Sequence, residues 1–95
     1  MKTIWKYPII ITDRQTITIP VDAEILTVAL QDDIPCIWAM VDTEVPPEIR
    51  HIEIFGTGNP IPFERGITNR KYIGSLHQNY FVWHVFENLE IWKFD

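Results

Sequence analysis

"EILTVALQDDIPCIWAMVD", residues 24–42, decides the fold. By composition its first eight residues suit a helix or a strand. Eight is short for a helix, the run is rich in β-branched residues, and "DDIP" closes it, so a strand is predicted over 24–31. Asp32–Asp33 supplies the turn, and 34–42 returns as the second arm of a hairpin. That arm, "IPCIWAMVD", is apolar at both parities, which implies a strand covered on both faces at the centre of the structure. Cys36, the only cysteine, is expected there as a buried, inert thiol, because nothing local offers it a base. Trp38 is expected in the interior, as is Trp83 in a second such run.

Working outward, "TIWKYPIII" (3–11) places Trp5, Tyr7, Ile9 and Ile11 on one face, and Pro8 marks an edge strand or a bulge. "QTITIP" (15–20) alternates Ile17 and Ile19 with Thr16 and Thr18, a half-buried strand closed by Pro20. "DTEVPPE" (42–48) reads as an acidic loop, its prolines unsuited to a sheet interior. "IRHIEIFG" (49–56) sets Ile52 and Ile54 against His51, Glu53 and Phe55. "KYIGSLH" (71–77) and "YFVWHVFE" (80–87) are two more strands joined by a "QN" turn, the second again apolar at both parities and central. The tail 88–95, "NLEIWKFD", reads as a last strand or as an arm. No window shows a helical period. The fold predicted is all-β: a small antiparallel sandwich or partly closed barrel of about seven to eight short strands, in one domain.

Four Trp, five Phe and three Tyr in 95 residues exceed what one small core encloses, so a homo-oligomer is expected, with Trp92 and Phe94 of the tail at its interface. Eight basic against thirteen acidic residues give a net charge of −5. That balance argues against a duplex nucleic-acid partner, because counterion release drives such binding, but leaves room for a local anion site. One cysteine permits no internal disulfide. "MKTIWKYPIII" lacks the h-region of a signal peptide and no run is long enough to span a membrane, so a cytoplasmic, non-membrane protein is expected.

Catalytic chemistry is hard to assemble. His51, His77 and His84 match no zinc spacing, and neither a metal nor a cofactor is expected. Ser75 and His77 share a face but lack a nucleophile elbow. His84 and Glu87 fall on opposite faces, and His84 reads as a strand histidine satisfied by its neighbours. Asp32–Asp33 and Glu44–Glu48 sit in polar turns. The reading is non-enzymatic. One segment stands apart: "GTGNPIPFERGITNRK", residues 56–71. Between Ile54 and Asn79 Glu64 is the only acid, against Arg65, Arg70 and Lys71, so this window carries +2 and the remainder −7. Gly56-Thr57-Gly58 permits positive φ at two positions and hence an anion-receiving nest of backbone N–H groups. Gly56, Thr57, Gly58, Asn59, Arg65, Arg70 and Lys71 are the candidate binding residues, for a small anionic ligand or a protein. The alternative is a connector between sheets, its arginines paired with the acidic remainder.

The blocks "TIWKYPI", "AEILTVALQDDIPCIWAMVD", "FGTGNPI", "YIGSLH" and "VWHVFE" occur in that order over residues 3–87. Together they resemble a family of short proteins of unassigned function encoded by bacteriophages and prophage regions. The resemblance implies an accessory protein in the bacterial host cytoplasm that binds a host factor, sequestering an anionic nucleotide signal or inhibiting a defence component. A virion structural or assembly protein is the alternative and a small enzyme the third reading. It transfers no site residue.

Overall fold

The computed structural model describes residues 1–61 and 69–90. In chain order its strands are β1 (Lys2–Pro8), β2 (Arg14–Pro20), β3 (Glu24–Gln31), β4 (Ile34–Asp42), β5 (Pro47–Gly56), β6 (Arg70–Gln78) and β7 (Phe81–Asn88). They form two antiparallel sheets, ordered β1-β4-β3 and β2-β5-β7-β6. The fold is an all-β sandwich, not a closed barrel.

The 24–42 hairpin forms with the expected bounds, Gln31 facing Ile34. Asp32 and Asp33 both take positive φ, 49° and 66°. Two left-handed central residues make the primed turn whose twist matches a hairpin, and Asp tolerates that backbone better than most side chains. The second tight turn is Asn79–Tyr80, not Gln78–Asn79, since Gln78 pairs with Phe81. Asn79, at φ 58°, is again the residue that accepts the left-handed region. β5 begins earlier than the proline pair suggested: Pro47 is its first residue and lies opposite Pro20, the last of β2. A strand terminus needs no donated N–H, so both prolines are accommodated there.

The core lies between the sheets. Ile37, Ala39 and Val41 of β4, with Val28, meet Ile17, Ile19, Ile52, Ile54, Leu76 and Val85. β4 is central in its sheet, and its even positions point away from the core. Along that outer side Cys36 is buried, Trp38 half-buried and Met40 exposed. The strand is therefore covered on both faces only near Cys36, and Trp38 is not interior. Trp83 is also only half-buried, stacked on Phe81 with ring centroids 5.4 Å apart. Both tryptophans sit where the two-layer packing runs out, which an apolar run alone does not reveal. β6 approaches the other sheet at Gly74, where a Cβ would stand 3.2 Å from Val28 Cγ1.

β5 and β6 both pair antiparallel with β7, which lies between them. They are therefore parallel to each other, and parallel strands need a crossover of a dozen or more residues instead of a tight turn. The length of the 57–69 connection follows from that topology. It joins two strands of one sheet, not two sheets.

Two polar features mark the interior. Arg50 donates from Nη2 to Glu87 at 2.9 Å, from Nε to the same carboxylate, and from Nη1 to the Ala23 carbonyl at 2.8 Å. These bonds to Glu87 hold the guanidinium above its ordinary pKa. The Tyr7 hydroxyl, by contrast, is buried with no hydrogen-bond partner among the described residues, and desolvation raises its pKa. An unsatisfied buried hydroxyl costs stability that its removal restores. Tyr7→Phe is thus expected to stabilise the fold by about 1 kcal/mol, read as a higher urea midpoint at unchanged m-value. A lower midpoint would mean that the hydroxyl has a partner in solution.

Candidate functional site

β5 ends at Gly56, and the chain turns at once. Thr57 N donates to the Val82 carbonyl at 3.1 Å, and Asn59 N to the Gly56 carbonyl at 3.0 Å. Gly58 takes φ +86°, so the left-handed region is used at one glycine, not two. Space at Gly56 is tight: a Cβ there would stand 2.9 Å from Asn59 Nδ2, which would have to swing aside, and 3.2 Å from Trp83 Cζ3. With the Thr57 and Asn59 N–H groups already bonded, these two donors are committed to the turn and not to an anion.

Arg70 and Lys71 do not join this turn. Leu76 shares a row with Trp83 and Gly56, whereas Arg70 pairs with Asn88 near the opposite end of β6. At ~3.4 Å per residue that separation is roughly 20 Å. Arg70 reaches across β7 to Glu53, its Nε donating to Oε1 at 2.6 Å, with its Cζ 5.9 Å from the Phe55 ring centroid. Lys71 is exposed and pairs with Glu87 in register. Arg65, Trp92 and Phe94 lie outside the described residues. Gly56, Thr57, Gly58 and Asn59 are brought together; Arg70 and Lys71 are elsewhere.

The outer face of the four-stranded sheet holds what the sequence did not single out. One row runs Tyr72, Phe86, Glu53, Arg14 across all four strands, and the next runs Ser75, His84, Phe55. Tyr72 and Ser75 share this face because β6 carries a bulge between Tyr72 and Gly74. The extra residue resets the alternation. Glu53 is 1% exposed on a face that simple alternation leaves to solvent. Besides Arg70, Arg14 Nε lies 3.8 Å from its Oε2 and Asn88 Nδ2 donates to Oε1 at 3.5 Å. Two arginines and an amide thus compensate one buried carboxylate.

Beside it stands an aromatic cluster. Phe86 meets Phe55 and Tyr72 edge-to-face, with centroids 5.9 and 5.1 Å apart. His84 bridges this cluster to the turn: Nδ1 lies 2.8 Å from the Tyr72 hydroxyl and Nε2 2.7 Å from Thr57 Oγ1. One tautomer gives every donor an acceptor. Tyr72 O–H donates to Nδ1, Nε2–H donates to Thr57 Oγ1, and Thr57 O–H donates to the Val82 carbonyl 3.4 Å away. His84 is thereby satisfied by its neighbours, as the sequence suggested. Ser75 Oγ and His77 Nε2 do share a face, 3.5 Å apart. Among the described residues no group of three or more His, Cys, Asp or Glu is placed to hold a metal ion, and no helix is long and apolar enough to cross a membrane.

Among the described residues, three clefts share Gly56. The widest, about 810 Å³, lies between the Ile11–Arg14 segment, the end of β5 and Trp83. A second, about 310 Å³, adds Tyr80 and Phe81, and a third, about 190 Å³, is walled by the aromatic cluster. They open at one end of the sandwich, where connections bond to neighbouring strands. Ile9 N donates to the Pro35 carbonyl, Ile54 N to that of Asp13 and Gln78 Nε2 to that of Asp33. Ile10, Ile34, Ile61, Tyr80 and Phe81 are all exposed there, Tyr80 completely and Phe81 by 59%.

A family model described as "Domain of unknown function (DUF7352)" matches residues 1–92. Neither curated proteins nor solved structures give a match.

Breaking the Glu53 pair tests the electrostatics of the face. Arg70→Ala leaves a buried carboxylate short of its principal partner and is expected to cost about 3–5 kcal/mol in urea denaturation. The double variant Arg70→Met, Glu53→Leu should cost less than Arg70→Ala alone, because no stranded charge remains. Additive costs would show that the two side chains are not coupled.

Proposed function

The chain belongs to the DUF7352 family, and we propose that it is a non-enzymatic binding module that engages a host protein through the loop end of its sandwich. The observation that carries this reading is the exposure of Ile10, Ile34, Ile61, Tyr80 and Phe81 at one end of the strands, with Tyr80 and Phe81 lining one cleft at Gly56 and Ile61 another. Isolated exposed apolar residues are ordinary, but several large ones at one end, from three connections and the first residues of β4 and β7, mark an interaction surface. Loops held by a rigid sandwich are the usual carriers of recognition. Asp13, Asp32 and Asp33 are exposed around the patch, so the complementary partner presents apolar side chains within a basic rim. The host context and the cytoplasmic setting rest on the resemblance to phage and prophage proteins. The separation of Arg70 and Lys71 from the Gly56–Asn59 turn favours a protein partner over a sequestered nucleotide.

A second reading, self-association as a virion or assembly component, has its own observation. Ile4, Trp38 and Met40 adjoin on the outer face of the β1-β4-β3 sheet, with Ile4 and Met40 exposed. Met40→Glu would abolish a sedimenting oligomer on that reading and leave a monomeric binder unaffected.

The test of the first reading places a photo-crosslinking phenylalanine analogue at position 80 and, as a control, at position 49 on the opposite end. In host cells position 80 is expected to yield a discrete adduct competed by the unmodified protein, and position 49 none. Equal labelling at both positions, or none at position 80, would remove the loop end as the binding surface.

A further inference from the structure

We propose that the outer edge of β2 is a self-association surface: a second copy of this chain pairs its own β2 antiparallel along it, joining two four-stranded sheets into one. β2 ends its sheet, with no further strand beside it among the described residues. The inference goes beyond the binding-module reading and does not rest on it.

The alternation of the ladder fixes which main-chain groups face that edge. Ile54 N donates to the Asp13 carbonyl and Val21 N to that of Pro46, so the odd-numbered residues at both limits of β2 turn to β5. In an antiparallel pair a residue directs its N–H and C=O to one side, and its neighbours direct theirs to the other. The even positions, Arg14, Thr16, Thr18 and Pro20, therefore face outward. Register with β5 runs unbroken from Arg14 to Pro20, and Thr16 and Thr18 are exposed. Pro20, without an N–H, ends the row.

The edges formed by β1, β3 and β6 are guarded. β3 and β6 each carry a bulge and lie against one another across the sandwich. Bulges and cover both hinder strand addition. β1 pairs in unbroken register, but the same alternation, set by Ile9 N on Pro35 and Thr43 N on Met1, turns Lys2, Ile4, Lys6 and Pro8 outward. A lysine inside the row defends an edge. Between Arg14 and Pro20, β2 holds only Gln, Thr and Ile.

A two-fold axis at Ile17 makes this edge complementary to itself. It sets Thr16 opposite Thr18 of the second copy, so that the outward N–H and C=O of both threonines are paired. Their side chains meet as Thr–Thr neighbours, a favourable cross-strand pair. Arg14 falls opposite Pro20, and no like charges are set facing each other. Trp5 supplies an independent observation. It lies on the core side of β1, opposite the wholly buried Ala39, yet is 43% exposed. With β3 and β6 meeting on one side of the sandwich, β1 and β2 are the edges of the other. A strand added to β2 extends the layer that Trp5 faces, and burying an indole there favours association. Because β2 begins at the loop end, antiparallel pairing points the two loop ends in opposite directions, and the dimer is bivalent.

The experiment follows the full chain by sedimentation velocity over a concentration series and by amide hydrogen exchange. A monomer–dimer equilibrium is expected, with the Thr16 and Thr18 amides gaining protection as the dimer forms. Thr18→Pro deletes an outward N–H but no bond to β5, and the two-fold repeats the loss, so the dissociation constant should rise about tenfold or more. Thr18→Val keeps the N–H and should dimerise within about twofold of the wild type. Should Thr18→Pro lose its dispersed spectrum, Thr16→Lys combined with Thr18→Lys replaces it, setting like charges opposite each other with the same expected weakening. A chain monomeric at every concentration, a dimer whose Thr16 and Thr18 amides stay unprotected, or a dimer dissolved by Met40→Glu and not by the edge variants would each overturn the assignment. Protection of these amides that appears only on adding host lysate would give the edge to a foreign strand and likewise overturn it. Crosslinking from position 80 is read separately, and loss of that adduct rejects the binding-module reading without touching the edge.

Discussion

Because β7 lies between β5 and β6 and pairs antiparallel with both, the chain must leave β5 at Gly56 and re-enter the same sheet at the far end of β6. No hairpin can make that connection. The strand order thus imposes the long Gly- and Pro-rich segment, and much of the local charge pattern follows from how its far end is fixed. Arg70, the first residue of β6, reaches back over β7 to Glu53 on β5. The ion pair spans the three strands whose order made the crossover necessary. The basic surplus in this window is therefore partly internal: one of its arginines neutralises a carboxylate that is almost wholly buried.

The two ends of the sandwich are consequently different in kind. At one end, Arg50 binds Glu87 and the Ala23 carbonyl and locks β5, β7 and the β2–β3 connection together with charged hydrogen bonds. Buried charges need such complete pairing, and pairing of this sort specifies a geometry more than it adds stability. At the other end, single hydrogen bonds hold the connections to neighbouring strands, and large apolar side chains are left facing water. Ion-paired and apolar-exposed ends are separated along the strand axis. Substitutions at the loop end can therefore change the surface while the ion-paired end and the core hold the strands in register.

The features legible in the sequence were those governed by local rules. Asp32–Asp33 announced a hairpin because few other side chains accept two consecutive left-handed residues. Ile17 and Ile19 announced an inward face because a strand alternates and Thr16 and Thr18 stand between them. Gly56–Gly58 was recognisable as a place for positive φ, which Gly58 alone adopts, and His84 as a histidine satisfied by neighbours. What escaped depended on layers. Trp38 sits in as apolar a run as any in the chain, yet its side of the β1-β4-β3 sheet carries no second layer among the described residues. Glu53 looked like the solvent-facing residue between Ile52 and Ile54, and only three-dimensional proximity brings two arginines and Asn88 to it. Sequence spacing from Glu53 to Arg70 carries no hint of contact, because the crossover hides it.

Tyr72 shows how one backbone irregularity decides a site. In an unbroken β6, Tyr72 and Ser75 would face opposite ways, and a ring aligned with Leu76 would point into the sandwich. The bulge between Tyr72 and Gly74 absorbs one residue, so that Tyr72 emerges on the outer face opposite Phe86 while Leu76 remains in the core. Gly74 follows at the point where β6 comes within a Cβ's contact of Val28. A glycine there admits the close approach, and a bulge adds local twist. The same few residues thus seat an edge strand against the opposing sheet and turn an aromatic ring outward to His84. The hydroxyl of that ring and the Thr57 hydroxyl then hold the imidazole from both sides, joining the crossover's first turn to its last strand.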